Sequence, residues 1–296
     1  MTGAAIDQDV AALAVRIAQE RIRHSDPDDI DGRRRSRLAF RRWRERIPEA
    51  LSMKADVPIL ISRHRDNWLG SAGSMVRSLD PAGLGAGGFH AVDAAIFGDI
   101  PADCLGFTFE GLFDVARASL PVSARRGPAV AINVPTIVAG TVARFGDTLD
   151  ERSLVATARA EITAVGLHEA AHAIDQRADD KPIDVPPALS FPIVRAQLAK
   201  PRDVRRWRSG HGGRWVRAMA HFCHRATRTP PGDWWLDVFT GDVGAVLPGD
   251  AADWLDALAL ELATAGDDEP IVDVLARDPP PAFSRLFDQR SAATAA

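Results

Sequence analysis

The sequence predicts an α+β fold that is mostly helical, with a small β-sheet packed against one long helix. Two observations support this class. Apolar residues recur at helical spacing in several long segments, and one short run rich in β-branched residues, at residues 129–134, predicts a strand. The chain has 296 residues, of which 46% are hydrophobic, so it can bury a substantial core.

Bulk composition excludes several classes of protein. The net charge is −4 and no run of 18 apolar residues is present, so we expect no membrane-spanning helix and no membrane partner. The N-terminus carries acidic residues and no basic leading segment, which is unlike a secretory signal. The two cysteines, Cys104 and Cys223, are too few for a disulfide framework or a cysteine-based zinc site. Reduced thiols predict a cytoplasmic protein.

The N-terminal region, residues 1–55, is predicted to be helical. Apolar spacing indicates one helix over residues 5–23 and another over residues 33–54. The second helix is dense in arginine, and four of its arginines share one face: Arg33, Arg37, Arg41 and Arg44. Such a face suits nucleic acid, but the acidic segment before it and the negative net charge favour an ordinary solvated surface. Nucleic acid is therefore an alternative partner.

The central region, residues 56–266, is predicted to form the main domain. Residues 56–100 are rich in glycine and are expected to form an irregular, mobile loop near a cleft. A helix is expected over residues 105–120, followed by the strand at residues 129–134. An exposed edge of that strand is a predicted site for backbone pairing with an extended peptide.

A long helix is predicted over residues 149–178, because apolar side chains recur at helical spacing and no proline interrupts them. Thr148 and Glu151 have the spacing of a capping box at its start. Later helices are expected over residues 212–227, 233–239, 251–265 and 270–276. The last region, residues 267–296, is predicted to be a short helix followed by a loose tail.

Residues 168–172, His-Glu-Ala-Ala-His, lie inside the long helix and are the strongest chemical signal in the sequence. Residues four apart share a helix face, so His168 and His172 can bind one cation while Glu169 projects beside them. This H-E-x-x-H pattern is typical of zinc peptidases, in which the glutamate activates a water bound to zinc. Buried on a helix without that role, these side chains would each need another polar partner.

A catalytic zinc site needs a third protein ligand, and the sequence offers alternatives. His211 lies between glycines at the start of a helix, which lets the backbone approach closely. Glu261 is the alternative, because its apolar surroundings would bury a carboxylate that needs a partner. The chain has no tyrosine to stabilise an oxyanion. Four residues are candidates for that role or for orienting a ligand: Asp175, Arg214, His221 and His224.

Two blocks of the sequence together resemble a known family. H-E-x-x-H is followed by Gly-His-Gly-Gly-Arg-Trp at residues 210–215, with 38 residues between His172 and His211. This combination is similar to the SprT-like group of zincin metallopeptidases. The resemblance covers residues 162–175 and 209–225 and no other part of the chain.

The resemblance implies a zincin-like catalytic core that holds one Zn²⁺ ion. It implies His211 as the third ligand beside His168 and His172, with an aromatic residue packed beneath the site. The implied activity is hydrolysis of peptide bonds in a protein or peptide substrate, with Glu169 as the catalytic residue. A non-catalytic zincin-like binding protein and a nucleic-acid-associated protein are the alternatives.

Overall fold

The computed structural model of the protein describes residues 56–97, 104–108, 129–177, 211–228, 234–246 and 251–295. These residues form eight α-helices and one three-stranded β-sheet, so the predicted mostly helical α+β class is confirmed. The helices predicted over residues 5–23 and 33–54, with the arginine-rich face, lie outside the described residues. Within the described ranges, no helix combines the length and the apolar character needed to cross a membrane.

The elements are named here in chain order. The strands are β1 (His90–Asp93), β2 (Gly106–Phe107) and β3 (Ala129–Ile132). The helices are α1 (Asp56–Leu79), α2 (Val134–Phe145), α3 (Glu151–Arg177), α4 (Gly213–Ala226), α5 (Trp234–Val246), α6 (Ala251–Thr264), α7 (Ile271–Leu275) and α8 (Pro281–Ala295). A π-helical turn, Pro81–Gly85, follows α1, and a 3-10 turn, Ala94–Phe97, follows β1.

Helix α1 occupies the first half of the segment predicted to be an irregular loop, so that prediction is wrong there. Its buried apolar residues recur at helical spacing: Val57, Leu60, Trp68, Leu69, Ala72, Val76 and Leu79. Glycine inside the helix serves packing, because a Cβ built on Gly73 would lie 3.4 Å from the backbone nitrogen of Ala91 in β1. The glycine-rich turn proper is confined to the residues before β1, where Gly88 has a φ of 72°.

The sheet has the order β1-β3-β2, with β1 parallel and β2 antiparallel to β3. Strand β3 confirms the predicted strand and is fully buried, but it ends at Ile132 because Asn133 caps the next helix. The exposed edge predicted for β3 is wrong, since β3 is paired on both sides. In the described part of the chain, β2 is an edge strand.

Two further elements differ from the sequence predictions. The helix expected over residues 105–120 is wrong at its start, where Gly106 and Phe107 pair with β3, and residues 109–120 lie outside the described residues. Helix α2 has no counterpart among the predictions, although its start carries two signals. The Asn133 side chain accepts a hydrogen bond from the Thr136 amide, and proline lies in the first turn.

Helix α3 confirms the predicted long helix, with 27 residues from Glu151 to Arg177. Its first turn is capped by Asp150, whose carboxylate accepts a hydrogen bond from the Ser153 amide at 2.7 Å. Thr148 instead donates its hydroxyl to the Phe145 carbonyl at 3.1 Å, so the predicted capping box is wrong. Asp150 caps the helix because it directly precedes the first helical residue.

Helix α3 packs against both α1 and the sheet, and a glycine allows the close approach. A Cβ built on Gly166 would lie 3.3 Å from the Cβ of Ala72 in α1 and 3.6 Å from Cδ1 of Ile132 in β3. Gly166 therefore marks where α1, α3 and the sheet meet.

The C-terminal tail predicted to be loose forms helix α8, so this prediction is wrong. Phe283 is 2% exposed, and its ring lies 5.6 Å from that of Trp254 in α6. The residues Phe283, Leu286 and Phe287 have i, i+3, i+4 spacing and pack on the core. Alanine- and serine-rich composition at the chain end concealed this short apolar stripe.

Candidate metal centre

Three imidazole rings meet between the C-terminal part of α3 and the start of α4. Nε2 of His211 lies 3.1 Å from Nε2 of His168 and 3.2 Å from Nε2 of His172. Their possible ligand atoms all lie within 4.8 Å of one another, and they form the one such group found among the described residues. The structure thus brings the three histidines singled out by the sequence into one cluster.

The spacing of these nitrogens fits a small tetrahedral cation. Two nitrogens bound to zinc at about 2.1 Å lie roughly 3.4 Å apart, close to the separations between the histidines. Hydrogen bonds among the three rings cannot satisfy all three Nε2 atoms. In a neutral imidazole each nitrogen either donates one hydrogen bond or accepts one, so three nitrogens that converge on one point leave at least one of them without a partner in the cluster. A divalent cation can accept all three lone pairs, so the donor set fits Zn²⁺, for which histidine nitrogen is a common ligand.

The backbone places the three histidines in two different ways. His168 and His172 lie one turn apart on α3, so the helix itself sets their relative position. His211 comes just before α4 and is 4% exposed. Gly212, the N-cap of α4, has extended backbone with φ −75° and ψ −178°, which directs the chain from His211 into the helix.

Trp215 forms one wall of the centre. Its ring centroid lies 4.9 Å from His168, 5.6 Å from His172 and 4.5 Å from His211, and the side chain is fully buried. Its indole Nε1 donates to the backbone carbonyl of His168 at 3.4 Å. Trp215 therefore restricts the three rings and shields one side of the centre from water.

Glu169 follows the first ligand and is 6% exposed. It lies against β2, because a Cβ built on Gly106 would come within 2.9 Å of Glu169 Cγ and 2.7 Å of Val165 Cγ1. Only glycine at position 106 leaves this space for the glutamate. Strand β2 and Glu169 therefore pack directly against each other.

Asp242 of α5 also lies beside the centre, and no sequence signal singled it out. Its Oδ2 is 3.3 Å from Nδ1 of His168, across 74 residues of sequence. The side chains of His168 and Asp242 are 19% and 24% exposed. The docking of α5 against the core, through buried residues such as Val238 and Val243, creates this contact.

The two histidines on α3 have different electrostatic surroundings. Burial opposes a charge on His168, but the hydrogen bond and charge of Asp242, with the charge of Glu169, outweigh it and raise its pKa above 6.5. Burial, together with the neighbouring His168 and His211, holds the pKa of His172 well below 6.5. At neutral pH, His172 therefore offers the neutral imidazole that binds metal ions.

Glu261, the alternative third ligand, does not join this cluster. Its carboxylate accepts hydrogen bonds from Arg217 Nη2 at 2.7 Å and Arg217 Nε at 3.2 Å, and lies 3.0 Å from His221 Nε2. On α4, Arg217 and His221 are rotated by about 200° and 240° from Trp215, so they face away from the centre. This corrects both assignments, because Glu261 and His221 belong to a separate buried ion pair.

The other sequence candidates lie at the periphery. His224 is half-buried, lies about 180° around α4 from Trp215 and is not part of the three-residue group, so its expected position at the cleft stays a prediction. Arg214 is exposed in the first turn of α4. Asp175 is half-buried three residues after His172 and is not part of the three-residue group. A role for Asp175 or Arg214 stays a prediction.

Comparison of the chain with protein-family models, with curated proteins and with solved structures finds no match. The functional interpretation therefore rests on the residues of the centre and their geometry.

Proposed function

We propose that the protein is a zinc-dependent metallopeptidase in which His168, His172 and His211 hold the metal and Glu169 is the catalytic base. The observation that carries this proposal is the convergence of three Nε2 atoms, with separations of 3.1 and 3.2 Å about His211, next to a buried glutamate. Structural zinc sites use four protein ligands, whereas catalytic sites use three and keep one position open. The group of three among the described residues has the composition of a catalytic site.

Each residue of the centre has a distinct task in this proposal. A zinc ion held by these histidines would supply Lewis acidity, which lowers the pKa of water enough for its deprotonated form to attack a carbonyl near neutral pH. Glu169 accepts the proton that the attacking water loses and passes it to the amine leaving group. Trp215 holds the ligand rings and excludes water from one side of the reaction.

Strand β2 positions the base of the proposed mechanism. Because Gly106 has no side chain, Glu169 of α3 can pack directly against this strand, with its Cγ 2.9 Å from a Cβ built on the glycine. The sheet therefore restricts where the carboxylate of Glu169 can lie.

Metal analysis and a cleavage assay with matched variants test the proposal. The purified protein is analysed for zinc and incubated with fluorescein-labelled casein and with a complex peptide mixture read by mass spectrometry. We expect about one zinc per chain and cleavage that a chelator abolishes. Glu169→Gln should keep the zinc and lose about 10²–10⁴-fold in rate, whereas His168→Ala should lose both zinc and activity.

Two outcomes contradict the proposal. Undiminished cleavage by Glu169→Gln would remove the hydrolytic mechanism. Zinc retention without cleavage of casein or any peptide in the mixture would favour a non-catalytic binding protein.

A further inference from the structure

Asp242 contributes no ligand to the cluster and yet contacts one. Its Oδ2 lies 3.3 Å from Nδ1 of His168, while Nε2 of the same ring lies 3.1 Å from Nε2 of His211. The imidazole of His168 thus connects the carboxylate on one side with the convergent nitrogens on the other.

The chemistry of imidazole explains what such a carboxylate does. A neutral histidine that offers the lone pair of Nε2 carries its proton on Nδ1. An acceptor at Nδ1 selects this tautomer, fixes the rotation of the ring and makes Nε2 a stronger donor to the metal. A carboxylate is the strongest such acceptor among protein groups.

We propose that Asp242 is a positioning residue of the metal centre, which accepts a hydrogen bond from Nδ1–H of His168 and holds its Nε2 toward the metal. This inference rests on the proposed function in so far as it takes His168 as a ligand. It makes α5, a helix that contributes no ligand to the three-histidine group, part of the centre.

The surroundings of Asp242 suit this task. Both side chains of the pair are more than three-quarters buried, so the hydrogen bond is weakened less by water than it would be on the surface. Helix α5 is anchored by buried Phe239 and Val243, which flank Asp242 within one turn of the helix. The carboxylate therefore projects from a packed element and not from a loop.

The chain supplies a matched control in Glu261. Its carboxylate lies 3.0 Å from Nε2 of His221, so the same two chemical groups meet at a similar distance in a similarly shielded place. His221 is not in the cluster of three histidines. Removing the charge of Glu261 therefore perturbs a carboxylate–histidine pair without touching a ligand.

The experiment compares zinc affinity in the full chain, measured by competition with a chromophoric chelator at a temperature where circular dichroism shows each variant folded. We expect Asp242→Asn to weaken zinc binding by about 10–100-fold, with Asp242→Ala at least as weak. Glu261→Gln should lower the melting temperature and leave zinc affinity at the wild-type value.

The possible results separate this inference from the proposed function. Wild-type zinc affinity in Asp242→Asn would overturn the role of Asp242 and leave the three-histidine centre standing. Equal losses of affinity in Asp242→Asn and Glu261→Gln would overturn it as well, because the effect would then be general loosening. A wild-type protein that takes up no zinc would end both proposals, whereas absence of cleavage with these affinities would end the proposed peptidase alone.

Discussion

Gly106 of β2 leaves the space that Glu169 of α3 fills, since a Cβ built on the glycine would lie 2.9 Å from Cγ of the glutamate. The same Cβ would lie 3.1 Å from the carbonyl oxygen of Ala131 in the neighbouring strand. The catalytic base of the proposed mechanism therefore depends on the absence of a side chain in another element.

Replacing that glycine should uncouple metal binding from turnover. We expect Gly106→Ala to displace Glu169 and lower casein cleavage by about 10²-fold, because small misplacements of a catalytic group are costly, with zinc content unchanged. Gly212→Ala is the control, since a Cβ there meets nothing within 4 Å although it adjoins a ligand. Equal activities of the two variants would contradict the positioning of Glu169 by β2.

Zinc should stabilise the folded chain through His211 and independently of Glu261. A ligand present at 100 times its dissociation constant adds about 2.7 kcal/mol to the free energy of unfolding. We expect the melting temperature measured by calorimetry to rise when zinc is added to the wild type and to Glu261→Ala. His211→Ala should lose most of this rise, and a full rise in that variant would remove His211 from the ligand set.

The C-terminal helix should contribute strongly to stability. Phe283 is 2% exposed and lies against the start of α4, where its Cε1 is 3.4 Å from a Cβ built on Gly213. We expect Phe283→Ala to lower the free energy of unfolding by about 3–5 kcal/mol, measured with urea. Asp288→Ala, at an exposed position of the same helix, should change it by less than about 0.5 kcal/mol. Similar changes in unfolding free energy for the two variants would contradict the packing of this segment on the core.

The Glu261 ion pair should make the free energy of unfolding depend on pH in the acidic range. Burial alone would raise the pKa of Glu261, but hydrogen bonds from His221 and Arg217 outweigh burial and lower it below 4.5. A lowered folded-state pKa gives stability that is complete above the unfolded value and is lost as pH falls through the folded value. The difference in unfolding free energy between wild type and Glu261→Gln should therefore narrow below about pH 4.5, in urea titrations at several pH values. The unfolding free energy of the exposed control Asp256→Asn should stay close to that of the wild type at every pH. A difference between wild type and Glu261→Gln that does not change with pH would refute the prediction.

Local patterns predicted the elements whose geometry is set within a few residues. Helix α3 and strand β3 follow from apolar spacing and β-branched content, and both are found at the expected places. The same reasoning failed for α1, where the glycine content of the segment outweighed a helical apolar pattern that was present. It failed for α8 because three aromatic and aliphatic residues in a polar, alanine-rich segment are a weak signal that becomes decisive only when a core is available.

The sequence by itself determined the pair His168 and His172, because backbone hydrogen bonds of a helix place residues four apart on one face. The tertiary structure decided that His211 joins them, that Glu261 pairs elsewhere, and that Asp242 reaches His168 across 74 residues. Such contacts depend on which apolar faces of the helices pack together. The spacing of polar residues in the sequence does not show which of them this packing brings into contact. The two histidines on α3 could thus be paired from a pentapeptide, whereas their surroundings came only from the packing of α4, α5 and β2.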